Sequence, residues 1–252
     1  HKSLRQTYGF DDVALVPGDI TINPDQTDIS FTIDRLSLPI PILASAMDGV
    51  VDVRFTIAMG KLGGLAVLNL EGVQSRYNDP DVVLEKIANA PQQEVTALLQ
   101  KIYSEPIKNN LIGDRIRAIK KAGLACAVSL TPANTKKLSP LSVEAGIDVL
   151  VVQSTVTTAR HVSKSYKGLV FSELVKQIPV PVIVGNCVSY SACRKLMETG
   201  IHGVLIGVGP GAACTTREVL GVGVPQATAI IDCAAAREDY FKASGRRVPI
   251  IA

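Results

Sequence analysis

Tryptophan is absent from this chain of 252 residues, and aromatic residues make up only 4% of it. A core without large rings must be filled by Val, Ile, Leu and Ala. Such side chains suit parallel strands buried on both faces and the helices that cover them. Charge is sparse at 19%, with a formal net charge of +3. There is no basic stripe or tail, so a nucleic-acid partner is not expected. No signal peptide is visible and no apolar run is long enough to span a bilayer, so no membrane partner is expected. Cysteine is present in an odd number, five, with no metal-ligand spacing such as C-x-x-C. That favours a reducing, cytoplasmic setting over a disulfide framework. Low-complexity tracts and flexible linkers are missing as well, and residues 1–252 read as one catalytic domain.

What is there is a repeating rhythm of apolar runs and helical segments. The runs start at Leu38–Ala44, Gly64–Asn69, Leu124–Leu130, Ile147–Gln153, Val180–Asn186, Val204–Val208 and Val248–Ala252. Between them, Ile112, Ile116 and Ile119 share one helical face that stops at Gly123. Glu144-Ala145-Gly146-Ile147-Asp148 and Glu198-Thr199-Gly200-Ile201-His202 repeat one pattern, a helix ending at glycine before a buried strand. Seven such starts favour a (β/α)8 TIM barrel over an open doubly wound sheet. The last run stops in mid-strand, so the C-terminal part of the barrel is expected to be missing. From Glu71 to Asn110 two amphipathic helical segments, at 81–87 and 94–102, form an elaborated second βα connection.

The most informative stretch runs from Gly207 to Arg217. Gly207, Gly209 and Gly211 alternate after the run Val204-Leu205-Ile206, and Cys214, Thr215 and Thr216 follow. Glycines so placed let a loop turn sharply and present backbone N–H groups to an anion. A cysteine just past the turn is placed to act as a nucleophile, and the threonine hydroxyls are placed for proton handling. The pattern points to covalent chemistry on a phosphorylated small molecule. A glycine loop after a strand is also a common tight turn, and a single cysteine is often a small apolar filler. Here the polar surroundings of Cys214 favour reactivity. Cys126 and Cys233 lie in apolar or alanine-rich runs and read as structural, while Cys187 and Cys193 flank a strand-to-helix junction and remain open.

With these features in hand, the chain resembles the IMP dehydrogenase and GMP reductase family over nearly its whole length. The family's G-x-G-x-G-S-x-C-x-T loop corresponds to Gly207–Thr216 with one change. Tyr8-Gly9-Phe10-Asp11-Asp12-Val13, Ser45-Ala46-Met47-Asp48, Leu62-Gly63-Gly64, Gly185-Asn186, Gly221–Gln226 and Thr228-Ala229-Ile230 also match. The match is nearest to the paralogue of cyanobacteria and actinobacteria that lacks the regulatory CBS pair. The resemblance implies that Cys214 attacks C2 of a purine nucleoside monophosphate, GMP or IMP, to form a thioimidate, with Thr216 serving proton transfers. It implies phosphate contacts from Ser45 and the backbone around Gly209, Gly211 and Ala212. Met47 would pack on the base, and Asn186 would sit near the ribose and base. Gln153 and Ser154 would face the nicotinamide of NADP(H) or NAD. Carbonyls of Gly209, Gly211 and Cys214 would ring a monovalent cation, and the family's habit implies a homotetramer or homo-octamer.

Three positions depart from the family pattern. Ala212 replaces a serine, Leu205 stands where a basic residue is usual, and Gln153 replaces an aspartate. The expected activity is NADPH-dependent reductive deamination of GMP to IMP. The alternatives are NAD-dependent oxidation of IMP to XMP, and a paralogue that binds purine nucleotides without turnover.

Overall fold

The computed structural model describes residues 4–162 and 168–252. The chain falls into two compact units, one formed by 30–152 with 177–182, the other by 1–29, 153–176 and 183–252.

The 30–152 unit begins with a hairpin, β1 (Phe31–Ile33) against β2 (Leu36–Leu38), antiparallel around Asp34 at φ 54°. The first parallel strand, β3, covers only Leu43–Ala44. The run Leu38–Ala44, expected as one strand, is therefore divided. Pro39 and Pro41 have no N–H to give a ladder, and between them Ile40 N donates outside any strand, to Gly63 O at 3.3 Å. Helix α1 (Val53–Lys61) starts where the Asp52 carboxylate accepts the Phe55 N–H at 2.6 Å. Strand β4 (Leu65–Asn69) pairs in parallel with β3. The elaborated connection follows as expected, with α2 (Pro80–Ala88) and α3 (Val95–Ser104) ahead of α4 (Asn109–Lys121). In α4 the buried side chains include Ile112, Ile116 and Ile119, the face read from the sequence.

Strand β5 (Ala127–Leu130) is buried at every position, and α5 (Pro132–Glu144) leads to β6 (Val149–Gln153), which pairs with β5 from Ala127–Val149 to Leu130–Val152. Strands without an exposed face are what parallel sheets covered by helices require. Leu65, Leu68, Leu130 and Leu150 lie at most 2% exposed, as do Ile112, Ile116 and Ile119 of α4. Burial of each such side chain is worth about 1.5–3 kcal/mol.

In the second unit, α6 (Phe171–Gln177) precedes β7 (Val182–Cys187). Helix α7 (Tyr190–Glu198) is capped by Ser189, whose hydroxyl accepts the Ala192 N–H at 3.3 Å. Strand β8 (Gly203–Ile206) pairs in parallel with β7 and with the last strand, β9 (Ile250–Ile251). Between β8 and β9 lie the short α8 (Thr216–Leu220) and the long α9 (Gln226–Ser244), which packs on α7. The N-terminal segment is tied to α9, Tyr8 N donating to Thr228 Oγ1 at 2.8 Å and Thr228 N to Tyr8 O at 3.2 Å.

Within each unit the neighbouring parallel strands are consecutive in the chain. A doubly wound sheet reverses its order at a switch point, whereas a barrel wall does not. The fold is thus of the (β/α) barrel class, with seven parallel strands among the described residues. Among the described residues no helix is long and apolar enough to cross a membrane.

Candidate active site

The loop after β8 is built by close backbone approaches. Gly207 N donates to Cys187 O at 3.0 Å, and Gly207 O accepts from Asn186 Nδ2 at 3.0 Å. Asn186 thus spends its amide nitrogen on holding the loop's first residue to the end of β7. Gly207 has φ 132°, and a Cβ there would stand 2.9 Å from Gln226 Oε1. Gln226 is the residue that sequence reasoning left without a role. Its Nε2 donates to Ile206 O at 3.1 Å, so it props the strand end from beneath, while its Oε1 is buried without a partner among the described residues. Gly209, at φ 66°, lies against the aliphatic stem of Arg217, 2.9 Å from where a Cβ would sit. Val224 N donates to Val208 O at 3.1 Å and closes the loop's far side.

Cys214 sits at the rim of this loop and is exposed, the single exposed thiol among the five cysteines. Its N–H donates to Gly211 O at 3.0 Å, which fixes a tight turn just before the sulfur. Its Sγ lies 3.3 Å from Thr216 Oγ1. Hydrogen bonding from the Thr216 side chain, and then from the Thr216 backbone, holds the Cys214 thiol below the ordinary range. A thiol so placed is enriched in thiolate at neutral pH, the form that attacks carbon. Gly211 and Ala212 beside it are exposed, as the contacts implied for an anion require.

At the end of β6 the two residues implied for the nicotinamide side differ. The Ser154 hydroxyl donates to Val156 O at 2.9 Å and shares a hydrogen bond with Thr157 Oγ1, also 2.9 Å. It is committed to its own turn. The Gln153 side chain is half-buried. An uncharged amide fits a nicotinamide carboxamide, to which it can both donate and accept. For the implied cation, Gly211 O already closes the Cys214 turn. A set made only of neutral carbonyls, with no carboxylate, suits a monovalent ion rather than a divalent one. At the departure Leu205, the side chain packs over Gly185, where a Cβ would come 2.4 Å from Leu205 Cβ.

The Ser45-Ala46-Met47-Asp48 loop belongs to the other unit and has its own supports. Ser45 is exposed and Met47 is 57% exposed, and Met47 N donates to Ser45 O at 2.8 Å. Asp48 anchors the turn. Its carboxylate accepts from Tyr103 Oη at 2.7 Å, Val73 N at 2.9 Å and Asn69 Nδ2 at 3.1 Å. Burial, then the bond to Asp48, push the Tyr103 hydroxyl up. Tyr103 comes from α3, inside the elaborated connection. Its partner is 55 positions away, so no local pattern revealed it.

The loop after β8 thus presents an exposed thiol of lowered pKa beyond the end of a parallel strand in a (β/α) barrel fold. The chain belongs to the IMP dehydrogenase / GMP reductase family, whose domain model matches residues 7–252. It is 36% identical to an uncharacterized oxidoreductase of Mycolicibacterium smegmatis, over 98% of this chain and 67% of that protein. It is 30% identical to inosine-5'-monophosphate dehydrogenase of Cryptosporidium parvum, over all of this chain and 62% of that protein. An IMP dehydrogenase/GMP reductase-like protein of Corynebacterium glutamicum, solved by crystallography, superposes with a TM-score of 0.91 at 34% identity, over 99% of this chain and 66% of that one. The chain spans about two thirds of the length of these relatives.

Proposed function

We propose that Cys214 is the nucleophile of a purine nucleotide oxidoreductase and that the reaction is the reduction of GMP to IMP. The observation that carries this reading is the exposed Cys214 sulfur, 3.3 Å from the Thr216 hydroxyl that lowers its pKa. The sulfur attacks C2 of the guanine ring, and a C–S bond forms. The 2-amino group leaves as ammonia with a proton relayed at Thr216 Oγ1, giving a thioimidate on Cys214. NADPH supplies hydride to C2, the C–S bond breaks, and sulfur departs as thiolate. Sulfur serves because it is both a good nucleophile and a good leaving group. Gly209, Gly211 and Ala212 offer backbone N–H groups to the phosphate, Asn186 its side-chain oxygen to the nucleoside and Gln153 its amide to the nicotinamide. Nothing in this thiol chemistry is routed through a cation.

The test is the full-length protein with GMP and NADPH, followed by loss of NADPH absorbance and release of ammonia. Both are expected, and neither occurring overturns the reading. A second reading, NAD-dependent oxidation of IMP to XMP, is favoured by the 30% identity to a protein named inosine-5'-monophosphate dehydrogenase. XMP formed from IMP and NAD, without turnover of GMP, would replace the first reading by the second. A third, binding without turnover, is favoured by the Leu205 side chain, which packs on Gly185 and brings no charge there.

A further inference from the structure

Three of the four cysteines that play no part in the purine chemistry meet inside one unit. Cys187 ends β7, Cys193 lies in α7 and Cys233 lies in α9, and they are 2%, 0% and 0% exposed. Their sulfur atoms lie within 4.8 Å of one another. Three apolar fillers in a helix–strand seam would bring sulfurs near each other only by accident of packing. Here they also interact. Cys193 Sγ lies 3.8 Å from Cys233 O.

We propose that Cys187, Cys193 and Cys233 form a buried three-sulfur site for copper(I). Three sulfurs around one ion at about 2.3 Å stand about 4 Å apart in a trigonal plane, so the site closes by less than about 1 Å. No His, Asp or Glu joins the group among the described residues. Zinc asks for four ligands, and calcium and magnesium ask for oxygen. Thiolate sulfur selects soft ions, and copper(I) is satisfied by two or three such ligands. A monovalent ion also brings the least charge into the dry seam. No electron moves on binding. Copper enters and stays as Cu(I), and each thiol that becomes a thiolate releases one proton to solvent. The site clamps β7 to two helices, and Cys187 O also holds Gly207 N, at the start of the reactive loop.

The experiment does not depend on the purine reading. The full chain carrying Cys214→Ala, which removes the exposed thiol, is reduced without oxygen and titrated with Cu(I) delivered from its bicinchoninate complex. One equivalent is expected to transfer, with an all-sulfur first shell by X-ray absorption and a thermal midpoint raised by roughly 5–10 °C at a hundredfold excess over the dissociation constant. Cys233→Ser and Cys193→Ser, each in that background, are expected to weaken retention at least about tenfold. If a serine variant fails to fold, the sulfur count in the parent's absorption spectrum decides. No transfer, a first shell holding nitrogen or oxygen, undiminished retention in folded serine variants, or equal retention of zinc would each overturn the proposal.

Discussion

Cys214 and Cys126 carry the same side chain in opposite surroundings. Cys214 is exposed, next to a hydroxyl that stabilises its thiolate. Cys126 is fully buried, and burial, helped by the nearby Asp148 carboxylate and opposed by Lys120, pushes its thiol up to about 12. The backbone explains the difference. Cys126 lies at the entry to β5, where its N–H donates to Asp148 Oδ2 at 2.7 Å and its carbonyl accepts from Asp148 N at 2.8 Å. Cys214 lies beyond a strand's carboxyl end, in the exposed stretch 210–215. In a barrel of this class the strand bodies and entries carry stability and the exits carry chemistry. The two thiols fall on either side of that division.

The largest effect that separates them is on turnover. Cys214→Ser is expected to lower the rate of GMP reduction by roughly a thousandfold or more, as loss of a covalent nucleophile does. Cys126→Ala is expected to leave it within about twofold. Steady-state rates of the two purified variants measure this. Equal losses in both would erase the division.

Stability at high pH moves the other way. Below the ordinary thiol value of 9 both folded and unfolded chains hold the Cys126 proton, and its contribution is complete. Above it the unfolded chain ionises first and binds fewer protons than the folded one. The contribution then falls as pH rises and is gone past about 12. Its size is on the order of a few kcal/mol. Urea midpoints at about pH 8 and about pH 10.5 are expected to drop less for Cys126→Ala than for the parent chain. Cys214→Ser is not expected to reduce that drop.

How far this division was legible in the sequence depends on the range of the interactions. The apolar runs of β5, β6 and β8 announced themselves because strands buried on both faces have no polar alternation to obscure them. The face of α4 followed from Ile112, Ile116 and Ile119, and the Cys214 loop from its glycines. All these signals lie within a few residues of what they specify. The run Leu38–Ala44 was misread because its apolar content hid two prolines that cannot join a ladder. The Asp48 anchor depends on Tyr103, and the strut under Gly207 depends on Gln226, which is 20 positions from its acceptor Ile206. The cysteine trio was hidden for the same reason: Cys233 is 40 positions from Cys193, so no short spacing signals it.

Asp148→Ala sharpens the comparison at its buried end. The Asp148 carboxylate accepts from both Lys120 Nζ, at 2.6 Å, and the Cys126 N–H. Removing it leaves a backbone donor without its acceptor, at a cost of about 1–3 kcal/mol. Lys120→Ala removes only a half-exposed ion pair and is expected to cost less than about 1 kcal/mol. Equal losses in urea denaturation would mean that the ion pair, and not the Cys126 N–H, is what Asp148 stabilises.

The smallest effect lies at Cys214. Thr216→Val keeps the shape of the neighbour but removes the hydroxyl whose bond is the first cause of the lowered pKa. The rate of alkylation by iodoacetamide follows the thiolate fraction, so it rises with pH and levels off above the thiol's pKa. In the variant the inflection is expected to move up, and alkylation at neutral pH is expected to slow, while the plateau at high pH changes little. The backbone bond from residue 216 survives the substitution, so part of the lowering is expected to remain. If the inflection stays in place, the Thr216 hydroxyl does not acidify Cys214, and the loop's backbone alone separates this thiol from Cys126. If the whole lowering disappears, the backbone contributes nothing and the side chain alone sets the contrast.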